Sequence, residues 1–151
     1  MSRIVNLTMR QTGGGKWSCV DIAQGRLDLE ACDISSQSLS CVAIHGGADP
    51  RLRRNPIHDG GQSGVHVYDN GQGTLEENDI FANGLQGVEI KTGGNPSLRR
   101  NNITKNSYHA IRVYKGGCGV IEDNDLGGNT RGAWNIAPDC EDNVKRKGNQ
   151  E

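Results

Sequence analysis

Aliphatic and polar positions recur along this chain in one frame, aliphatic-x-x-Asn-x-aliphatic. It reads Leu52-Arg53-Arg54-Asn55-Pro56-Ile57, then Leu75-Glu76-Glu77-Asn78-Asp79-Ile80, then Leu98-Arg99-Arg100-Asn101-Asn102-Ile103, then Ile121-Glu122-Asp123-Asn124-Asp125-Leu126. The asparagines at 55, 78, 101 and 124 set a period of 23 residues. Leu29 to Ile34 fits the same frame with Cys32 in the Asn position, and Val144 is expected to open an incomplete last copy. A second series of short strands alternates in step with the first: Val20-Asp21-Ile22, Val42-Ala43-Ile44, Val65-His66-Val67, Val88-Glu89-Ile90, Ile111-Arg112-Val113 and Trp134-Asn135-Ile136. Period-two alternation places the aliphatics on one face and the residues between them on the other.

A unit of 23 residues is too short for a βαβ crossover or a four-stranded propeller blade, and it carries too few leucines for a leucine-rich repeat. One coil of a parallel β-helix fits it. No coil can bury its apolar face alone, and stacking builds a continuous core. The predicted fold is all-β: a right-handed single-stranded parallel β-helix of about six coils of 23 residues with an Asn ladder. At a rung spacing of about 4.8 Å, six coils make a rod of roughly 29 Å.

Four inward columns follow: Val20 to Trp134, Ile22 to Ile136, Leu29 to Val144, and Ile34 to Leu126. The stacked Asn amides each carry a donor and an acceptor, which suits rung-to-rung bonding at a bend. Gly47, Asn70, Gly93, Gly116 and Asp139 form a turn column that tolerates positive φ, as do Gly60, Asn83, Asn106 and Asn129. The column Glu30, Arg53, Glu76, Arg99, Glu122, Lys145 alternates in sign, and so does Arg54, Glu77, Arg100, Asp123, Arg146, which disfavours a slip of one coil. The single domain over 1–151 divides into an opening strand and loop (1–17), repeated coils (18–146) and a polar tail (147–151).

Composition changes this picture little. A hydrophobic fraction of 33%, a mean hydropathy of −0.66 and 22 glycines would lean toward disorder without the repeat. Net charge is −1, which gives no general pull toward nucleic acid, and no apolar run is long enough for a membrane helix. Five cysteines without a signal-peptide pattern favour reduced thiols and a cytoplasmic setting. Cys19 and Cys41 fall at equivalent positions in adjacent coils and are read as buried small hydrophobes, with a disulfide between them as the alternative.

Candidate chemistry lies on the outward face of the second series. Its two columns bring together His45, His66, Tyr68, Glu89, Lys91, Arg112 and Tyr114, a shallow surface suited to a sugar chain or a partner loop. Arg112, Glu89 and His66 also read as a salt-bridge ladder. Glycosidic hydrolysis needs two carboxylates at controlled separation, and this face supplies Glu89 alone. The four histidines share no column, so neither a metal nor a cofactor is expected. Proton abstraction by Tyr68, His66 or Tyr114, with Arg112 or Lys91 neutralising a substrate carboxylate, is the catalytic alternative.

Asn55 to Tyr68, and Gly73 to Asn83 with Gly87 to Ile90, resemble the right-handed parallel β-helix repeats of the pectin-lyase-like superfamily. They are closest to the carbohydrate-binding and sugar-hydrolase repeats of β-helix F-box proteins and to bacterial β-helix repeat modules. The resemblance covers residues 18–145 and implies right-handedness. It also implies a functional outer face on one parallel sheet, which points to the His66 face. The chain lacks the acidic clusters of the lyases and hydrolases and the Asp-Pro-His motif of mannuronan epimerases, Asp49-Pro50-Arg51 being the nearest match. The expected function is a non-catalytic module for protein or carbohydrate recognition within a larger protein, with no nucleic-acid or membrane partner. The alternatives are a polysaccharide lyase or epimerase acting on uronic-acid polymers, and a solenoid that self-associates through its ends. Unpaired strand edges would drive that association, Trp17 and Trp134 would plug the ends, and no capping helix is foreseen.

Overall fold

The structure is a computed structural model that describes residues 2–151. Each of the first five coils contributes one short strand to each of three parallel sheets, and within every sheet the strands follow chain order. The first sheet has seven strands, from Ser2–Val5 through Leu27–Glu30, Arg51–Arg53, Thr74–Glu76, Ser97–Arg99 and Gly119–Glu122 to Val144–Lys147. The second sheet has five, from Thr8–Gln11 through Asp33–Ser36, Pro56–His58 and Asp79–Phe81 to Asn102–Thr104. The third sheet has six: Val20–Ile22, Val42–Ile44, Val65–Val67, Val88–Ile90, Ile111–Val113 and Trp134–Ile136. Among the described residues no helix is long and apolar enough to cross a membrane.

Register bears out the predicted columns. Val88 pairs with Val65 and Ile111, Ile90 with Val67 and Val113, Leu75 with Leu52 and Leu98, and Ile80 with Ile57 and Ile103. These side chains are fully buried. A column one residue wide on each face is enough to build this core, so a strongly polar chain can still fold.

The Asn ladder is present and runs further than its spacing suggests. Each Nδ2 donates to the Oδ1 of the next rung at 3.0 Å, from Asn55 to Asn78, Asn101, Asn124 and finally Asn149. Each Oδ1 from Asn78 onward also accepts the backbone N–H of the preceding ladder residue, and Asn55 accepts that of Cys32. The residue just before each ladder position lies in the left-handed region: Ala31, Arg54, Glu77, Arg100 and Asp123 have φ of 53° to 58°. An L-residue there costs roughly 1–2 kcal/mol. The ladder bonds hold the corner closed against that cost.

Several expectations change at the two ends and at the turns. Ile4 to Met9 is two strands divided by a left-handed Asn6, because the first coil already turns a full corner. At the other end the 3-10 helix Pro138–Asn143 adds two residues. Val144 therefore pairs with Gly119, and Arg146, not Val144, lies opposite Ile121. The same shift puts Lys147 opposite Glu122 in place of Lys145. Arg146 leaves its predicted charge column to bond Glu141 and lie over the Trp134 ring. Residues 147–150 are no tail: Lys147 ends a strand and Asn149 closes the ladder.

Asp139 is inside the 3-10 helix and has no positive φ, whereas Gly47, Asn70, Gly93 and Gly116 do. The column Gly60, Asn83, Asn106, Asn129 is not a positive-φ column either. It is a second amide ladder, with Nδ2 to Oδ1 distances of 2.9 Å, and its left-handed residues are the preceding Asp59, Ala82, Lys105 and Gly128. All five cysteines are free thiols. Burial raises the Cys41 thiol to a pKa of about 12, which makes it inert.

Candidate functional site

The outer face of the third sheet carries all seven residues singled out from the sequence. The alternation of its three-residue strands turns Val65 and Val67 inward and His66 outward, and the turn after each strand adds His45, Tyr68, Lys91 and Tyr114. From the N-terminal side, His45 Nε2 lies 2.5 Å from Asp21 Oδ1, and its ring stacks on Tyr68 with centroids 4.8 Å apart. Tyr68 meets His66 at 4.5 Å in a tilted pair. His66 Nε2 lies 3.8 Å from Glu89, beyond hydrogen-bond reach, and that nitrogen is buried without a partner.

Glu89 is the centre of this row. Tyr114 donates its hydroxyl to one carboxylate oxygen at 2.5 Å, and Ser63 donates to the other at 2.8 Å. Burial pushes the Glu89 pKa up, but the Tyr114 bond, the attraction of His66 in its protonated form, the Ser63 bond and Arg112 together outweigh it and lower the pKa. Tyr114 is pushed up to about 12, by burial and by its bond to Glu89. Burial also lowers the His66 pKa against the pull of Glu89, so its imidazole is neutral at neutral pH.

Of the expected Arg112–Glu89–His66 salt-bridge ladder, the His66–Glu89 contact is present at 3.8 Å and the Arg112 arm does not form. Arg112 stacks on the Tyr114 ring at 3.9 Å, because Tyr114 has taken the carboxylate. Lys115 and Lys91 approach the same ring at 5.7 and 5.9 Å, and Arg131 stacks on Tyr108 at 3.8 Å. Among the described residues none of these four cations is ion-paired with a carboxylate. The first sheet differs: Arg53 bonds Glu30, Arg54 bonds Glu77, and Arg99 and Arg100 lie against Glu122 and Glu76.

Trp17 does not plug the core. Its side chain is 69% exposed and its ring rests against Gly15, where any Cβ would collide with the indole. It forms one wall of a shallow groove of about 230 Å³, whose other sides are Lys16, Asp21, Ala43 and Tyr68. A larger depression of about 480 Å³ opens at the corner between the first and second sheets. It is lined by the bonded ladder residues Asn101 and Asn124 with Arg100, Asp123 and Asp125, and no aromatic ring faces it. Among the described residues no group of His, Cys, Asp and Glu is placed to hold a metal.

Sequence reasoning missed Ser63, Lys115, Tyr108, Arg131 and the groove role of Trp17. Tyr108 and Arg131 follow Leu39, Gln62 and Leu85 in a backbone-bonded column one corner before the sheet, which the spacing alone contains.

The family model described as "Right handed beta helix region" matches residues 2–149, so the chain belongs to that family. No curated protein sequence matches it. Among solved structures it is similar to the periplasmic alginate epimerase AlgG, with a TM-score of 0.57 and 13% identity over 99% of this chain and 49% of that one. The chain thus spans about half the length of that structure, and at this identity the likeness is one of fold, a β-helix.

Proposed function

We propose that the chain is a non-catalytic recognition module that lays an acidic carbohydrate chain along the outer face of its third sheet. One observation carries this reading: Lys91, Arg112 and Lys115 converge on the Tyr114 ring, and among the described residues none of them is ion-paired, the nearby Glu89 carboxylate being bonded to Tyr114 and Ser63. Like charges held together repel, and the ring offsets only about 0.5–1 kcal/mol for each exposed cation. A carboxylate on a ligand would relieve the repulsion and pair with the Arg112 fork. At the other end of the face, Trp17 and Tyr68 offer flat apolar surface for a sugar ring.

The alternative is an epimerase or lyase acting on uronic-acid polymers, and the fold shared with an alginate epimerase keeps it in view. The state of the titratable groups supports binding instead. Tyr114, with a pKa near 12, is a poor base at neutral pH; both oxygens of Glu89 are bonded; and the Nε2 of the neutral His66 is covered. The test is calorimetric titration with alginate and polygalacturonate oligomers beside neutral glucans, with ultraviolet absorbance and NMR monitoring the sugars. Salt-sensitive binding of the acidic oligomers, weakened about tenfold in Arg112→Gln by loss of one charge-assisted bond, is the expected result. New double bonds or inverted sugar centres, lost in His66→Ala, would establish the enzyme.

A further inference from the structure

We propose that His66 is a proton-operated latch on the cation cluster around Tyr114: on taking up a second proton its imidazole captures the Glu89 carboxylate, and Tyr114 is released. The consequence for a ligand rests on the recognition reading above; the exchange itself does not. One carboxylate oxygen stands between two rivals. Glu89 Oε2 accepts the Tyr114 hydroxyl at 2.5 Å, and the same oxygen lies 3.8 Å from His66 Nε2. Buried polar atoms are nearly always bonded, yet this nitrogen is buried with no partner. An unmade contact thus sits beside a made one on a single oxygen.

The order of the coils makes the two contacts exclusive. His66 is paired with Glu89 from the rung before it, and Tyr114 follows Ile111–Val113, the strand of the rung after it. Glu89 Oε1 is held on the His66 side, by Ser63 of the same coil at 2.8 Å. An imidazolium–carboxylate bond is about 2.7–2.9 Å long, so Oε2 and Nε2 must approach by about 1 Å. That movement keeps the Ser63 bond and draws Oε2 away from Tyr114, past the limit of about 3 Å for an O–H···O bond. The His66 ring is not locked by stacking. It is tilted 37° to Tyr68, whereas His45 lies parallel to Tyr68 within 5°.

Every element around His66 bears on its proton. The strand before it presents Ala43 and the strand after it Glu89. The adjoining turns supply His45, Tyr68 and Lys91. Glu89 favours the second proton. Burial, Lys91 and His45 oppose it and prevail, so the ring charges only below its ordinary value of about 6.5. Uptake offsets the nearby Glu89 charge, so Lys91, Arg112 and Lys115 have less negative charge beside them. It also frees the Tyr114 hydroxyl as a donor among those cations. Carboxyl groups titrate near about 4, so a uronate is still ionised at pH 5. The face should hold it about tenfold more tightly there than at pH 7, the gain of one charge-assisted bond.

NMR titration of the free chain, following the His66 and Tyr114 rings, tests the exchange, with circular dichroism as a folding control. Both rings should shift together, with one midpoint below about 6.5. In folded His66→Gln the Tyr114 shift should vanish. In Tyr114→Phe, which removes the rival bond, the His66 midpoint should rise by about one pH unit. A Tyr114 ring that stays in place while His66 titrates, or a His66 midpoint unmoved in Tyr114→Phe, would overturn the proposal. Calorimetry with a uronate oligomer at pH 5 and pH 7 reads the consequence. The gain of about tenfold is expected in the wild type and absent in His66→Gln. Equal wild-type affinity at the two pH values would overturn the role of the latch in binding. No binding at either pH would refute the recognition reading alone, because the exchange is read on the free protein.

Discussion

Replacing Asn78 with alanine removes one rung from the middle of the first ladder. Four hydrogen bonds go with it. Asn55 loses the acceptor of its backbone N–H (3.0 Å) and that of its Nδ2 (3.0 Å). The Leu52 carbonyl and the Asn101 carboxamide oxygen each lose a donor, both at 3.0 Å. Asn55, Asn78 and Asn101 are all buried, so water does not replace these bonds. An orphaned buried N–H costs about 1–3 kcal/mol and each ordinary bond about 1, which together give a loss of about 3–5 kcal/mol. The neighbouring Glu77, at φ 56°, would also lose part of what holds its strained backbone. Asn149→Ala is the internal control. It ends the same ladder but is half-exposed, so water can take over and the cost should be about 1 kcal/mol. Denaturant unfolding followed by circular dichroism measures both, with equal m-values required for the comparison. If Asn78→Ala costs no more than Asn149→Ala, the ladder is not a main source of stability and the reasoning fails.

Three further outcomes follow from named contacts. Burial disfavours the His58 imidazolium, but the bonds to Asp59 (2.6 Å) and Asp33 (2.7 Å) outweigh it and raise the pKa. The stability this adds is therefore full below an unfolded pKa of about 6.5 and fades as pH rises through the higher folded value. Asp33→Asn should flatten that part of the stability-against-pH curve, and an unchanged curve would contradict it. Ala82 holds φ 55° with no side-chain bond, at a corner where the coil after next has Gly128. Ala82→Gly should raise stability by up to about 1 kcal/mol, since the relieved strain exceeds the added chain entropy, and a destabilised variant would refute the account of the corners. Native protein should expose two thiols, Cys19 and Cys118, to a thiol reagent, while Cys32, Cys41 and Cys140 react only on unfolding.

The fold was legible because its cause is periodic. An inward column is one residue per rung on each face, so Leu52, Leu75 and Leu98 announce it by spacing alone. The ends were less legible because periodicity stops there. Nothing in the sequence of Pro138 to Asn143 marks the two added residues that move Val144 out of the Leu29 column. The second ladder was hidden for another reason: Asn suits both a left-handed turn and an amide stack, and only the backbone angles of Ala82 and Lys105 decide between them.

On the third sheet, alternation placed His66, Glu89 and Arg112 side by side correctly. It could not show which partner each would choose. Tyr114 comes from the turn after the next strand, reaches back to Glu89, and so leaves Arg112 to stack on its ring. That choice depends on side-chain reach, which a column of letters does not contain.

The central claim is that the cations around Tyr114, which have no ion-pair partner among the described residues, bind an acidic glycan without transforming it. The most direct measurement is the affinity of a uronate oligomer for the wild type and for Lys91→Gln/Arg112→Gln, at low and high salt, with the oligomer recovered and sequenced by NMR. The account predicts saturable, salt-sensitive binding, weakened at least about tenfold in the double variant, and an unaltered oligomer. Equal affinity in the two proteins, or a chemically altered sugar, would contradict it.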